Sequence, residues 1–408
     1  MKALENAKAM RTEELKEKIA SSGLREYGVF PEPLTEKWEN LRVDNGGALS
    51  GVAAGLNNSD TDHLLLGLLR EEPERIFDGM EIAALALGVQ EKVLFLPEEE
   101  TDLAAELKEK AQTRGIEIRN EFINVREYAA YAVHHIAAML QLSEVLEETY
   151  VPAVYLEIPQ ENAKEGAEGG LRKIPYGTGF ADLVKFDGAK AVVIGSRLYT
   201  PEEAEALVID EKFAPGSGAV RILGEKTCIV QECEKNLMES RKNGCGKCTF
   251  CREGLNQICF HIQDITSGKG KKEALPMIRE IGEAMSFSCA CSVGTAGADF
   301  TLDALDGFES EFDAHIRRHK CPAGVCTCFM TIYIDPQACE GCEECADVCP
   351  QDCIEGKAGY IHMIDEFDCT KCGKCIEVCE NDAVISTTGR VPKLPTRLTK
   401  CGKFKKRH

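Results

Sequence analysis

Eight cysteines near the C-terminus fall into two runs, Cys339, Cys342, Cys345 and Cys349, then Cys369, Cys372, Cys375 and Cys379, each spaced C-x₂-C-x₂-C-x₃-C. A [4Fe–4S] cube takes four thiolates at its corners; a tight C-x₂-C-x₂-C loop supplies three, and the fourth comes from elsewhere in the fold. Where two such runs stand together, the fourth ligand is exchanged between them. The spacing therefore assigns Cys339, Cys342, Cys345 and Cys379 to one cluster, and Cys369, Cys372, Cys375 and Cys349 to the other. Structural zinc knuckles or disulfides would require no such pair of complete runs. A third run, Cys245, Cys248 and Cys251, leaves one corner of a cube open. By itself it fits zinc or a cluster.

The chain that must position these sulfurs has 408 residues, enough for about two to four domains. None of its 21 cysteines precedes Cys228, so a cysteine-free front half is followed by a back half built around them. A formal net charge of −20 argues against nucleic-acid binding. The exception is the tail, Arg390 to His408, with eight Lys/Arg and no acid. It reads as a solvated mobile end or as a dock for an acidic partner. No basic-then-apolar leader and no stretch of 18 apolar residues occurs, so a cytoplasmic chain without a membrane span is expected. Reduced thiols and oxygen-sensitive clusters suit that compartment.

Residues 1–20 read as one charged amphipathic helix. From about Leu64, apolar helical runs alternate with short strands such as Val93–Leu96 and Ile116–Ile118, the pattern of an α/β layer. Asn124 to Glu148 reads as a longer helix. On it, adjacent His134 and His135 would not face one another, which favours a structural or exposed role over a metal site. A Gly/Glu/Ala-rich turn at Glu161–Gly170 precedes Leu171–Ile174, Gly177–Val184 and Lys190–Ile194, read as strand, helix and strand of a β-grasp unit. No phosphate-binding P-loop, nucleophile elbow or H-E-x-x-H motif is present. The front half alone supports no catalytic assignment.

The third cysteine run lies inside Gly244-Cys-Gly-Lys-Cys-Thr-Phe-Cys-Arg-Glu-Gly254. It resembles the G-K-C-x-x-C-R-E-G signature of the flavin-bearing subunit of the complex I NADH dehydrogenase module, shared with β-subunits of electron-bifurcating hydrogenases and NAD-linked formate dehydrogenases. The resemblance implies a fourth thiolate in a C-x-x-G turn before a helix ending E-(F/Y)-x-A-H-I. Here Cys291-Ser-Val-Gly294 precedes Glu311-Phe-Asp-Ala-His-Ile316, which prefers Cys291 over Cys289. Lys190-Ala-Val-Val-Ile-Gly195, Gly216-Ser-Gly-Ala-Val and Glu225-Lys-Thr-Cys228 look like the family's soluble-ligand-binding β-grasp (SLBB) domain. Glu72-Pro-Glu-Arg-Ile-Phe-Asp-Gly-Met80 with Ile82-Ala-Ala is similar to a helix of its nucleotide-binding domain. Cys321-Pro-Ala-Gly-Val-Cys326 and the double-cubane segment, with Pro350 after the first run as in bacterial ferredoxins and Glu380 after the second, match the hydrogenase-type members.

One departure outweighs these matches. The family seats flavin and NADH on a glycine-rich loop, because bare backbone must approach the phosphate and the isoalloxazine. Aligned on Lys37-Trp38, this chain reads Glu26-Tyr-Gly-Val-Phe-Pro-Glu-Pro-Leu-Thr-Glu-Lys-Trp38, where Gly28 alone survives. The next flavin element would fall near Ala54-Gly-Leu-Asn-Asn-Ser-Asp-Thr61, and the third on Tyr131-Ala-Val-His-His-Ile-Ala-Ala-Met139. All three lack the family's contact residues. The nucleotide domain is therefore expected to be a vestigial scaffold with no cofactor-binding residues for FMN or NAD and no catalytic residue.

Three cubes use twelve of the 21 cysteines. His315, Cys321, Cys326 and Cys328, spaced H-x₅-C-x₄-C-x-C, suit tetrahedral zinc, with a [2Fe–2S] cluster or an unmetallated hinge as alternatives and His319 as an alternative to His315. Cys228, Cys233, Cys259, Cys289, Cys353 and Cys401 read as packing or free thiols. The expected architecture is α/β plus α+β and multidomain. It comprises a degenerate FMN/NADH-binding-like α/β domain over 1–150, an SLBB-like β-grasp over 151–230, a helical [4Fe–4S] domain over 231–330, a two-cluster ferredoxin domain over 331–388 and the basic tail 389–408. The expected role is a three-cluster electron relay in a multisubunit oxidoreductase of the hydrogenase, formate dehydrogenase or transhydrogenase type. Its expected partners include a thioredoxin-like [2Fe–2S] subunit, a catalytic or flavin subunit and soluble ferredoxin. An FMN-containing NAD(P)H-oxidising subunit with a divergent pocket, and a cluster-stabilised scaffold, are the alternatives.

Overall fold

The computed structural model describes residues 2–164 and 169–404. The chain folds into two compact units, one of residues 1–225, 233–260 and 275–308, the other of 226–232, 261–274 and 309–408. The helical cysteine segment expected as one domain over 231–330 is thus shared between them. The Glu161–Gly170 turn lies partly outside the described residues.

The first unit opens on α1 (Lys2–Lys8) and α2 (Thr12–Ser21), two helices where the sequence suggested one. The break falls at Arg11, whose extended backbone lets its N–H donate to the Glu14 carboxylate at 3.2 Å in a capping box. After α3 (Leu34–Asp44) comes a four-stranded parallel sheet of β1 (Gly51–Gly55), β2 (Glu91–Leu96), β3 (Glu117–Asn120) and β4 (Tyr131–His135), in the order β3-β2-β1-β4. The crossovers carry α4 (Leu66–Glu71), α5 (Pro73–Leu87) and α6 (Thr101–Thr113), and α7 (Ile136–Glu147) follows β4. β1 is buried along its length, as a parallel strand covered on both faces must be. β4 and α7 replace the continuous helix expected over 124–148. Tyr131-Ala-Val-His-His135 pairs with Gly51–Gly55 in parallel register, and the tertiary ladder overrides a local pattern that fits either element. Gly79 of α5 makes the close packing against α7 possible, since a Cβ there would stand 2.0 Å from the Met139 carbonyl oxygen.

Next come two small antiparallel sheets. β5 (Ala153–Ile158) pairs with β6 (Gly170–Pro175), and β7 (Ala189–Ile194) lies between β8 (Arg197–Tyr199) and β9 (Val220–Gly224). The helix expected over Gly177–Val184 is a single 3₁₀ turn, Phe180–Asp182; a short helix, α8 (Pro201–Ala206), stands after β8 under a Thr200/Glu203 capping box. Helices α9 (Ile229–Lys242), α10 (Thr249–Thr266), α11 (Ala274–Ser288) and α12 (Ser292–Gly307) carry the third cysteine run and its candidates for a fourth ligand.

In the second unit α13 (Glu309–Arg317) leads to a module of two similar halves. β10 (Thr331–Ile334) pairs antiparallel with β13 (Val384–Thr387), and β11 (Ile354–Glu355) with β12 (Met363–Ile364). α14 (Glu344–Asp347) follows the first C-x₂-C and α15 (Lys374–Glu377) the second. The shared core holds Ile332, Ile334, Ile354, Ile361 and Val384 together with Cys339, Cys345, Cys353 and Cys375.

Candidate metal centres and the Glu26 network

In the module of β10 to β13 each cysteine run wraps a short helix, α14 in the first half and α15 in the second. Cys345 is buried, and burial is the first cause that pushes its thiol up to about 12; the further causes are the sulfurs of Cys339, Cys342, Cys375 and Cys379. Cys375 is raised for the same reason, with Cys369, Cys372 and Cys349 as electrostatic neighbours. Cys379 is thus among the electrostatic neighbours of Cys345, and Cys349 among those of Cys375. Cys349, Cys353, Cys369, Cys372 and Cys375 line one small cavity. Thiols pushed up this way stay protonated until a metal displaces the proton, which is the chemistry of a thiolate cage. Cys353, read from sequence as a packing thiol, has its sulfur 3.4 Å from that of Cys349.

The third run sits around the start of α10, in the first unit. Cys245 is exposed in the loop after α9, while Cys248 and Cys251 are buried. Cys291 is the N-cap of α12, and burial pushes its thiol up. Cys289 stands there as well, hydrogen-bonded to Cys251. That bond, and then burial, drives the Cys251 thiol upward, while the same bond holds Cys289 down. Gly294 admits the Cys289 sulfur, because a Cβ in its place would lie 2.4 Å from Cys289 Sγ. The geometry brings Cys289 and Cys291 alike to the open corner.

A fourth group differs from the sequence expectation. Cys228, His315, Cys321 and Cys326 are all buried, and their ligand atoms lie within 4.8 Å of one another. His315 Nδ1 donates to the Glu311 carbonyl at 2.7 Å, which aims Nε2 at Cys228 Sγ (3.3 Å) and Cys326 Sγ (3.4 Å). Hydrogen bonding from Cys326, and then from His315, lowers the Cys228 thiol to about 4 against the effect of burial. Burial would lower His315, yet the Cys228 thiolate raises it to about 9. Cys328 does not join this set: it is exposed and its thiol donates to the Thr266 carbonyl at 2.7 Å. His319 is exposed as well. Sequence spacing missed Cys228 because it lies 87 residues before His315.

The three segments that the sequence resemblance aligned with flavin elements meet in the first unit. Glu26, buried, accepts from Lys37 Nζ (2.8 Å), His134 Nδ1 (2.6 Å) and the N–H groups of Tyr27 (3.1 Å) and His135 (3.0 Å). Burial opposes its charge, but Lys37 and then His134 hold its carboxyl well below the usual range. Trp38 Nε1 donates to His134 Nε2 at 2.9 Å, so the proton of His134 is on Nδ1. His135 caps α7 by accepting the Ala137 N–H on Nδ1 (3.0 Å), which puts its proton on Nε2, toward Asp60 (3.2 Å). Both histidines are thus hydrogen-bonded structural partners at a strand end. Gly28 has φ +119, and a Cβ there would stand 2.0 Å from Asn57 Nδ2, which donates to the Tyr27 carbonyl at 3.2 Å. The surviving glycine accommodates protein. Beside this network a cleft of about 530 Å³ opens past the carboxyl ends of β1 and β2, lined by Asn57, Asn58, Glu98, Glu99, Glu121 and Cys245 among others.

Residues 234–315 match the NADH-ubiquinone oxidoreductase-F iron-sulfur binding region, and residues 331–380 a 4Fe-4S dicluster domain. Among curated proteins, the chain is 36% identical over 145 residues to the NADP-reducing hydrogenase subunit HndC of Solidesulfovibrio fructosivorans, covering 36% of this chain and 30% of that protein. It is 31% identical over 169 residues to the F 2 subunit of the NADH-quinone oxidoreductase of Rhizobium meliloti, covering 38% of this chain and 40% of that one. The alignments therefore span well under half of either relative. In fold, the chain is similar to a crystal structure of an NAD+-reducing [NiFe]-hydrogenase in the H2-reduced state, with TM-score 0.60, 20% identity, and coverage of 77% of this chain and 64% of that one. The chain thus carries two iron–sulfur binding domains on a mixed α/β, multidomain fold. Among the described residues no helix is long and apolar enough to cross a membrane.

Proposed function

We propose that this chain is an iron–sulfur electron-transfer subunit of a multisubunit oxidoreductase of the hydrogenase or NADH-quinone oxidoreductase kind, passing single electrons between partner subunits without a flavin of its own. The observation that carries the reading is the convergence of the three flavin-element positions on a closed network, in which Glu26, Lys37, Trp38, His134 and His135 satisfy one another. Three [4Fe–4S] sites are assigned: Cys245, Cys248, Cys251 and Cys291; Cys339, Cys342, Cys345 and Cys379; Cys369, Cys372, Cys375 and Cys349. Such a cluster, once bound, exchanges one electron at a time. The chain supplies the thiolates, the burial that keeps water from Cys248, Cys339 and Cys345, and the second-unit hinge of Cys228, His315, Cys321 and Cys326, assigned to zinc. The small sheets of β5 to β9 are assigned to an SLBB-like unit. Partners are the other subunits of the complex, including a thioredoxin-like [2Fe–2S] subunit and a subunit that holds the flavin or catalytic metal.

A second reading, an FMN-containing NAD(P)H-oxidising subunit, is favoured by the cleft past β1 and β2, where open parallel sheets bind ligands. Its wall weighs against it, because Asp60, Glu98, Glu99 and Glu121 repel a phosphate. A nicotinamide gives up two electrons as hydride and a cube takes one, so a flavin must stand between them. Denaturing the anaerobically purified chain is expected to release no FMN or FAD. NADH and NADPH should leave the cluster absorbance unchanged, while a low-potential chemical reductant bleaches it. Stoichiometric flavin release, or bleaching by NADH without other subunits, would replace the relay by the flavoenzyme.

A further inference from the structure

We propose that the segment at residues 397–403, with Lys357 beside it, is a cationic docking surface for an acidic one-electron carrier protein, which exchanges electrons there with the cluster of Cys339, Cys342, Cys345 and Cys379. The inference rests on the relay reading and on that ligand assignment, and adds the place and the charge of the partner. Residues 390–404 contain Arg390, Lys393, Arg397, Lys400 and Lys403 and no acid, in a chain of formal net charge −20. All five cations are exposed. The last of them are held against the first cysteine loop in layers. The Gly359 N–H donates to the Gly341 carbonyl (3.0 Å), between Cys339 and Cys342, and a Cβ on Gly341, with φ +77, would lie 2.7 Å from the Gly359 and Tyr360 nitrogens. Over that layer the Ile361 N–H donates to the Thr399 carbonyl (2.9 Å) and the Cys401 N–H to the Gly359 carbonyl (3.1 Å), with Tyr360 bridging Lys400 antiparallel. Gln337 Nε2 fastens the far end by donating to the Phe404 carbonyl (3.1 Å). The tail read from sequence as a mobile end is therefore tied down at residues 399–404.

The tethered cations gather neighbours. The Lys357 ammonium stands 4.5 Å from the centre of the Tyr360 ring, so a cation from another loop joins Lys400 at the same tyrosine. Leu398, half exposed and between Arg397 and Lys400 in sequence, supplies an apolar contact. Cys342, in the loop beneath, is exposed, which leaves that corner of a bound cluster reachable from the surface. Sign decides the partner. A basic carrier would be drawn to any part of an acidic body and would dock without a preferred orientation. An acidic carrier is repelled by the body and drawn in only where cations gather, so its approach is aimed at a cluster. Glu340, Glu343 and Glu344 on the cysteine loop push it off the loop and onto the segment. Lys371 and Lys374 of the second loop are offset by Asp368 and Glu377 on the same stretch, whereas nothing in 390–404 offsets its cations. One electron passes between carrier and cluster, and no bond or proton moves.

The test is stopped-flow reduction of the anaerobically purified full chain by a reduced acidic bacterial ferredoxin, with reduced methyl viologen as a small cationic control. The second-order rate constant with ferredoxin is expected to fall steeply as salt is raised. Lys400→Glu combined with Lys403→Glu should lower that constant about tenfold at low salt and remove most of its salt dependence, with iron content and reduction by viologen unchanged. Lys400→Gln with Lys403→Gln should give a smaller loss of the same kind, and carries the test if the charge-reversed chain does not fold. Lys371→Glu should leave the ferredoxin rate nearly unchanged. A ferredoxin rate indifferent to both double substitutions, or one that falls as far with Lys371→Glu, overturns the docking surface. Equal slowing with viologen overturns it too, by making the segment a structural element. An unsubstituted chain whose clusters neither donor reduces would instead sink the relay reading on which the proposal rests.

Discussion

Glu26 shows how a single buried side chain can tie distant segments into one structural network. Its two carboxylate oxygens hold two side chains and two backbone N–H groups, drawn from segments that meet only in the folded chain. Breaking a buried charged pair from one side leaves the other charge uncompensated, so Glu26→Ala should cost about 3–5 kcal/mol. Thermal unfolding of the variant checks this, with iron content as the control; a loss under about 1 kcal/mol would mean the network is not closed. The pH dependence follows from the same atoms. Burial, partly offset by Glu26, lowers His134 from its ordinary 6.5, so the unfolded chain takes a proton there before the folded chain does. Glu26 is also lowered, from 4.5, so again the unfolded state binds the proton first. Both contributions are present at neutral pH and are lost on acidification, beginning below about 6.5 for His134 and below about 4.5 for Glu26. The unfolding midpoint should fall from pH 7 to pH 5, and His134→Gln should flatten that slope.

At the scale of elements, close helix contact and long-range closure decide where ligands stand. α5 packs on α7 through Gly79, where Ala would put a Cβ 2.0 Å from a backbone oxygen. Gly79→Ala should therefore destabilise by about 1–3 kcal/mol through overpacking. Gly67, in α4, is the counter-case: its nearest neighbour would be Leu171 Cδ2 at 3.8 Å, so Gly67→Ala should be neutral or stabilise by about 0.5–1 kcal/mol. Equal effects at the two sites, by denaturant unfolding, would contradict the packing argument. The four-residue group of the second unit joins a turn before α9 to α13 and the loop after it. Cys228→Ser should lower bound zinc as strongly as Cys321→Ser, whereas Cys328→Ser should leave it unchanged. Metal analysis distinguishes this from the spacing-based set, in which Cys328 rather than Cys228 is the fourth ligand.

For the whole molecule the expected inventory after anaerobic purification is about 12 iron and about 12 acid-labile sulfide per chain, from three four-iron clusters. Cys248→Ser should lower iron to about 8 and remove one cubane signal while leaving the double-cysteine module intact. A value near eight in the unsubstituted chain, with spectra indifferent to that substitution, would remove the third site. Because Cys289 and Cys291 both reach the open corner, their separate serine variants identify the fourth ligand: the one that loses the third signal holds the corner.

The cysteine runs were legible in the sequence because three ligands of a cube fit within seven residues, and a local spacing survives any tertiary arrangement that leaves the loop intact. The strands at Val93–Leu96 and Lys190–Ile194 were legible for a similar reason, being short apolar runs bounded by turns. Residues 131–148 were not. Their apolar pattern suits a helix as well as a strand followed by a helix, and pairing with Gly51–Gly55 decides between them. The partners of His134 and His135 were hidden too, since Glu26 lies 109 residues from His135 in sequence. Cys228 looked like a spare thiol until folding carried it to His315. The sequence by itself determined which donors the chain owns and where they cluster locally. Only tertiary structure decided which distant donor completes each group, because chain closure over tens of residues leaves no periodic trace in the intervening residues.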